Sequence, residues 1–76
     1  MHDGPEIDLV IQIPGKKVKL VEIKSTESLN KSHFSSLLAA KELLPESDCY
    51  LVSRDKVSKK TQGIHCLHWE EALSEL

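Results

Sequence analysis

The segment Glu6-Ile7-Asp8-Leu9-Val10-Ile11-Gln12-Ile13-Pro14-Gly15-Lys16-Lys17-Val18-Lys19-Leu20-Val21-Glu22-Ile23-Lys24 carries the pattern on which the fold turns. From Glu6 to Ile13, Ile7, Leu9, Ile11 and Ile13 alternate with Asp8, Val10 and Gln12. A period of two predicts a β-strand. Val10 lies on the Asp8 side, so both faces of this strand are expected to be covered. Pro14-Gly15-Lys16-Lys17 is a turn signal, and Val18 to Lys24 is the second predicted strand. A four-residue connection makes the pair an antiparallel hairpin.

Beyond the hairpin, Ser25 to Ser28 reads as loop. From Lys31 to Leu44 the period lengthens. Phe34, Leu37, Leu38 and Leu44 form one helical stripe, broken by Lys41. Ala39 and Ala40 favour helix, Asn30 or Ser32 supplies the N-cap, and Pro45 ends it. Cys49 to Ser53 is a third strand, Arg54 to Gln62 a polar solvated loop, Gly63 to Leu67 a fourth strand and Trp69 to Leu76 a short helix. The link from strand two through the helix to strand three is long enough for a right-handed crossover, which makes those strands parallel. The expected fold is α/β: a small mixed sheet in the order β-hairpin, helix, strand, strand, short helix, in a single domain over residues 1–76.

Composition narrows the function classes. The chain has 76 residues, with 39% hydrophobic and 29% charged, an ordinary globular balance. Its aromatics are Phe34, Tyr50 and Trp69, so the core is expected to be aliphatic. A formal charge of −2 argues against a nucleic-acid wrapper, which is strongly basic as a rule, yet allows a local basic patch. Two cysteines make no disulfide framework, and Cys49 and Cys66 sit in apolar strand contexts, which points to reduced thiols and a cytoplasmic setting. No apolar run approaches the ~20 residues of a membrane span.

Chemistry concentrates at Asp8 and at Glu22-Ile23-Lys24. Carboxylates are depleted in strand centres, yet both interrupt hydrophobic runs. Two carboxylates converging across adjacent strands make a hard-oxygen site of the kind Mg²⁺ takes together with waters and phosphate oxygens. Glu22 and Lys24 are two residues apart and share a face. Lys24 could then orient a metal-polarised water or stabilise charge developing on a phosphodiester. The apolar pattern favours a register with Val10 beside Glu22 and Asp8 beside Lys24. The same three charges also fit a structural ion-pair set on a half-exposed sheet.

The acidic residue on one strand followed by Glu22-Ile23-Lys24 on the next resembles the PD-(D/E)xK, or restriction-endonuclease-like, nuclease superfamily. More narrowly, Gly4-Pro5-Glu6-Ile7-Asp8-Leu9, Gly15-Lys16, Glu22-Ile23-Lys24-Ser25 and Trp69 resemble the C-terminal nuclease-like domain of predicted prokaryotic AAA+ ATPases. The likeness runs roughly from Gly4 to Leu73. Ile7 stands where the superfamily often has Pro, and the helix and strand that normally precede the Asp strand are absent. The resemblance therefore implies a restriction-endonuclease-like core truncated at its N-terminus, the C-terminal fragment of a larger ATPase. It implies Mg²⁺-dependent phosphodiester hydrolysis (Mn²⁺ substituting) of DNA or RNA. Asp8, Glu22 and Lys24 would be catalytic, with Asp8, Glu22 and the backbone carbonyl of Ile23 as metal ligands. The alternative is a non-catalytic interaction or regulatory module at the end of such an ATPase. A missing first strand would leave an unpaired sheet edge, which invites a homodimer.

Other polar groups read more simply. His65-Cys66-Leu67-His68 with Cys49 matches no standard zinc spacing, and neighbouring strand residues point to opposite faces. His33 suits a near-cap position. Lys16, Lys17 and Lys19 cluster at the hairpin tip, and Lys56, Lys59 and Lys60 in the polar loop, either as phosphate contacts or as solvated charge. Lys41 either reaches the site or snorkels from the stripe edge. Ser25 and Thr26 fit phosphate contact or plain loop. Trp69 is expected to pack or to anchor a helix start, since no second aromatic accompanies it.

Overall fold

The computed structural model describes residues 7–76. The Gly4-Pro5-Glu6 part of the motif lies outside the described residues. The elements follow as β1 (Leu9–Ile11), β2 (Lys19–Ile23), a 3₁₀ turn (Lys31–Phe34) running into α1 (Ser35–Leu43), β3 (Asp48–Ser53), β4 (Lys59–Thr61), β5 (Ile64–His68) and α2 (Trp69–Glu75). One sheet holds the strands in the order β1-β2-β3-β5-β4. Its centre, β2, β3 and β5, is parallel, and β1 and β4 add antiparallel at the edges. The result is the mixed α/β fold expected from the sequence, with one strand more.

That extra strand lies in the segment read as loop. Lys59, Lys60 and Thr61 pair with Cys66, His65 and Ile64. The connection is two residues, Gln62 and Gly63, with φ of 52° and 79°. Two successive positive φ values give the hairpin turn whose twist matches that of its strands. Asn-Gly usually announces such a turn, and Gln-Gly hid it.

The first hairpin also differs in detail. Lys16 N–H donates to the Ile13 carbonyl at 2.9 Å, and Gly15 has φ +80°. With Pro14 ahead of Gly15 this is a type II turn. The ladder sets Leu9 against Val21, Val10 against Leu20 and Ile11 against Lys19. Val10 therefore lies beside Leu20, not Glu22. The slide of two residues leaves every side chain on its expected face. β1 is shorter than the stretch Glu6 to Ile13, and Leu9, Val10 and Ile13 are about half exposed. Double coverage fails because β1 is an edge strand, with little packed on it among the described residues.

The helix starts where a cap is available. The Asn30 carboxamide oxygen accepts from Ser32 N–H at 3.0 Å, while Asn30 N–H donates to His33 Nδ1 at 2.9 Å. This reciprocal arrangement satisfies end groups that the helix itself cannot. At the other end Leu44 N–H still reaches the Ala40 carbonyl, and the Ser47 hydroxyl takes the Leu44 carbonyl at 2.7 Å.

Each face of the sheet carries one helix. On the first, Leu20, Cys49, Leu51, Ile64 and Cys66 pack against Phe34, Leu37 and Ala40 of the 3₁₀–α1 segment. On the second, Val21, Val52 and Leu67 pack against Ala72 of α2. Leu37, Leu51 and Ile64 are fully buried, each contributing about 1.5–3 kcal/mol by removal from water. The aliphatic core matches the expectation. Leu44 leaves the stripe and is 47% exposed, because α1 ends one residue earlier.

Candidate functional site

β2 places Glu22 and Lys24 on the face that carries α1. Glu22 pairs across the parallel ladder with Leu51 and is 3% exposed. A carboxylate at that depth is costly unless charge and hydrogen bonds compensate. Lys24 lies two residues on, just past the strand, with its Nζ 3.4 Å from Glu22 Oε1. Its own side chain stays 38% exposed, so the ammonium links the buried carboxylate to solvent.

Asp8 enters at the edge. It occupies a bend immediately before β1 and is exposed. Lys24 N–H donates to the Val52 carbonyl of β3 at 2.9 Å. Alternation along the strand turns the Ile23 N–H the other way, towards β1. Asp8 Oδ2 accepts that N–H at 2.8 Å. The bend has taken the main chain out of the ladder and left a carboxylate as its last acceptor. In a strand the N–H and C=O of one residue face the same neighbour, so the Ile23 carbonyl is directed to this edge as well. Asp8 thus lies on the peptide joining Glu22 to Ile23, one position short of the Lys24 partnership expected from the sequence.

Near the carboxyl end of β2 stand two carboxylates, Asp8 on the Ile23 N–H and Glu22 beside the Lys24 ammonium, together with the Ile23 carbonyl. In open α/β sheets this end is where ligands bind. Among the described residues, no three His, Cys, Asp or Glu side chains are arranged to hold a metal ion. Two carboxylates with a carbonyl suit a hydrated Mg²⁺, which keeps several waters, better than tetrahedral zinc.

The remaining candidates separate. His65 stacks on Tyr50 with ring centroids 5.0 Å apart, while its neighbour Cys66 is buried in the core of the opposite face. Burial pushes the Cys66 thiol above its ordinary pKa, and Cys49 is likewise free and buried. Lys41 donates to the Ser47 carbonyl at 3.0 Å and lies against Gly63, at the amino ends of β3 and β5 and away from Glu22. It is a snorkelling lysine. Thr26 Oγ1 bonds Ser28 locally. Lys19 Nζ sits 6.0 Å above the Tyr50 ring. Trp69 opens α2 as expected, but is 49% exposed.

One group escaped the sequence reading. His68 is the N-cap of α2, its Nδ1 accepting the Glu70 N–H at 3.3 Å. Ser, Thr, Asp and Asn are the usual residues there, so a His directly before Trp69-Glu70-Glu71 gave little signal.

The family model for the domain of unknown function DUF4143 matches residues 1–72. The chain belongs to the DUF4143 family. The match takes in β1 to β5 and most of α2, so Asp8, Glu22 and Lys24 all lie inside the DUF4143 region. No curated protein and no solved structure gives a significant match to the chain. No helix among the described residues is long and apolar enough to cross a membrane.

Proposed function

We propose that this DUF4143 domain is a nuclease-like domain of PD-(D/E)xK type, acting in Mg²⁺-dependent hydrolysis of nucleic-acid phosphodiesters. The observation that supports the reading best is the carboxylate of Asp8 seated on the Glu22–Ile23 peptide, with Lys24 beside Glu22. Asp8, Glu22 and the Ile23 carbonyl would hold the ion. When bound, Mg²⁺, or Mn²⁺ in its place, supplies charge that polarises the phosphodiester and acidifies a coordinated water. Lys24 stabilises negative charge growing on the phosphate oxygens and orients the attacking water. Hydrolysis breaks one P–O bond: the water gives its hydroxyl to phosphorus and a proton to the leaving oxygen. DNA and RNA both fit this chemistry. In the same reading the fold is a restriction-endonuclease-like core, the domain serves a larger AAA+ ATPase as its C-terminal part, and the free thiols suit a cytoplasmic setting. Incubation of labelled DNA and RNA with Mg²⁺ tests it. Cleavage that Glu22→Gln abolishes is the expected result, and cleavage indifferent to Glu22→Gln contradicts it.

A second reading, a non-catalytic interaction module, draws on a different feature. Leu9, Ile23, Trp69, Leu73 and Leu76 are 38–78% exposed and line an apolar groove of about 360 Å³ between β1, β2 and α2. Such patches mark interaction surfaces, and β1 beside it is a sheet edge able to pair with a second copy. Normal function of the full-length protein after Glu22→Ala and Lys24→Ala would favour this reading.

A further inference from the structure

Beside the carboxylates, the carboxyl ends of β3 and β5 open into a crevice of about 610 Å³. Arg54, Lys56, His68 and Trp69 line it. Its wall is tied to the segment that follows the candidate site: Arg54 N–H donates to the Thr26 carbonyl at 2.9 Å, two residues beyond Lys24. Ser53 pairs with His68 across β3 and β5, so His68 stands two strands from β2. At ~4.8 Å per strand this is about 10 Å, so a nucleic-acid strand lying on the candidate site reaches His68 with a neighbouring phosphodiester.

The crevice is equipped for an anion. His68 gives its Nδ1 to the Glu70 N–H, so the neutral ring carries its proton on Nε2 and keeps a donor there. The Trp69 ring holds that imidazole from one side at 5.7 Å and offers a half-exposed apolar wall. Arg54 brings a planar fork of donors suited to phosphate, and Lys56 a point charge. Two carboxylates share the lining, and both are engaged. Asp55 Oδ1 accepts the Val57 N–H at 3.0 Å, which holds its carboxyl below the ordinary range. Glu27 meets Arg54 at 3.2 Å in a largely exposed pair, the weak kind that a phosphate can displace.

We infer that this crevice binds a phosphodiester of the nucleic-acid strand about 10 Å from β2 and the candidate metal site, through Arg54, Lys56 and the Nε2–H of His68, with the sugar or base against Trp69. The substrate class rests on the nuclease reading above. The inference adds where the strand runs: from β2 across β3 to β5 along the carboxyl ends.

The test is fluorescence anisotropy with one labelled oligonucleotide sequence, as single-stranded DNA and as RNA, in EDTA so that no cleavage occurs. The doubly neutralised Arg54→Gln/Lys56→Gln chain should bind about tenfold or more weakly. Its slope of log affinity against log salt should fall by about 1.4, the value for two phosphate contacts on a single strand. His68→Asn, which keeps an N-cap but loses the Nε2 donor, should weaken binding several-fold at unchanged melting temperature. Lys16→Gln/Lys17→Gln, the same charge change at the hairpin tip, should leave affinity and slope near those of the parent. No binding by the parent, or equal losses from both double variants, overturns the proposal. Mn²⁺ calorimetry on the parent separates the two readings. No metal uptake together with a crevice-dependent loss of oligonucleotide removes the nuclease reading and keeps the crevice.

Discussion

Asp8 Oδ2 accepts the backbone N–H of Ile23 at 2.8 Å. The bond does two things. It closes the β1 edge of β2 where the β1 main chain has bent away, and it sets a carboxylate on the peptide between Glu22 and Ile23. One oxygen of that carboxylate suffices for the bond, and a carboxylate has lone pairs to spare. Structure and site chemistry can therefore be separated by substitution: Asn at position 8 can still accept from Ile23 but carries no charge.

The Glu22–Lys24 pair should be felt in stability. Lys24→Met keeps the stem and removes the charge 3.4 Å from a carboxylate that is almost wholly buried. Exposed pairs contribute up to ~1 kcal/mol and breaking buried ones costs ~3–5 kcal/mol. Since Lys24 itself is 38% exposed, a loss of about 1–2 kcal/mol is expected in urea unfolding.

The β4–β5 turn should resist a side chain. Gly63 has φ +79°, and a Cβ there would lie 3.3 Å from Lys41 Cε. Gly63→Ala should lower stability by about 1 kcal/mol or more through backbone conformation alone. Gln62→Asn, with a residue more at ease at positive φ, should raise the melting temperature.

Both thiols should be silent in the native state. Cys49 and Cys66 are at most 1% exposed, and burial raises the Cys66 pKa, so the reactive thiolate is scarce below its ordinary titration range. A thiol reagent at pH 7 should label both only at the rate of unfolding and label both promptly in denaturant. Prompt labelling of the native chain would contradict the core packing.

How much was legible follows from which signals are local. Alternation gave the first hairpin, and the lengthened period with Pro45 gave α1. The sharing of a face by Glu22 and Lys24 followed from a spacing of two. What misled was edge behaviour. Lys59-Lys60-Thr61 forms a strand without apolar alternation because β4 is the outer strand and its residues are largely solvated. β1 looked double-covered because Val10 is apolar, whereas its exposure reflects what lies beyond the edge. The hairpin register was out by two because turn geometry sets it, and the apolar pattern is blind to a slide that preserves faces. Asp8 leaving the ladder could not be read at all: Ile7 and Leu9 alternate as they would in an unbroken strand.

Divalent-metal binding tests the central claim most directly. Mn²⁺ and Mg²⁺ are titrated by calorimetry into the chain and into Asp8→Asn, with the fold of each checked by circular dichroism. The account predicts saturable binding by the parent and its loss in Asp8→Asn at an unchanged fold. Absence of binding by the folded parent, or equal binding by Asp8→Asn, would contradict it.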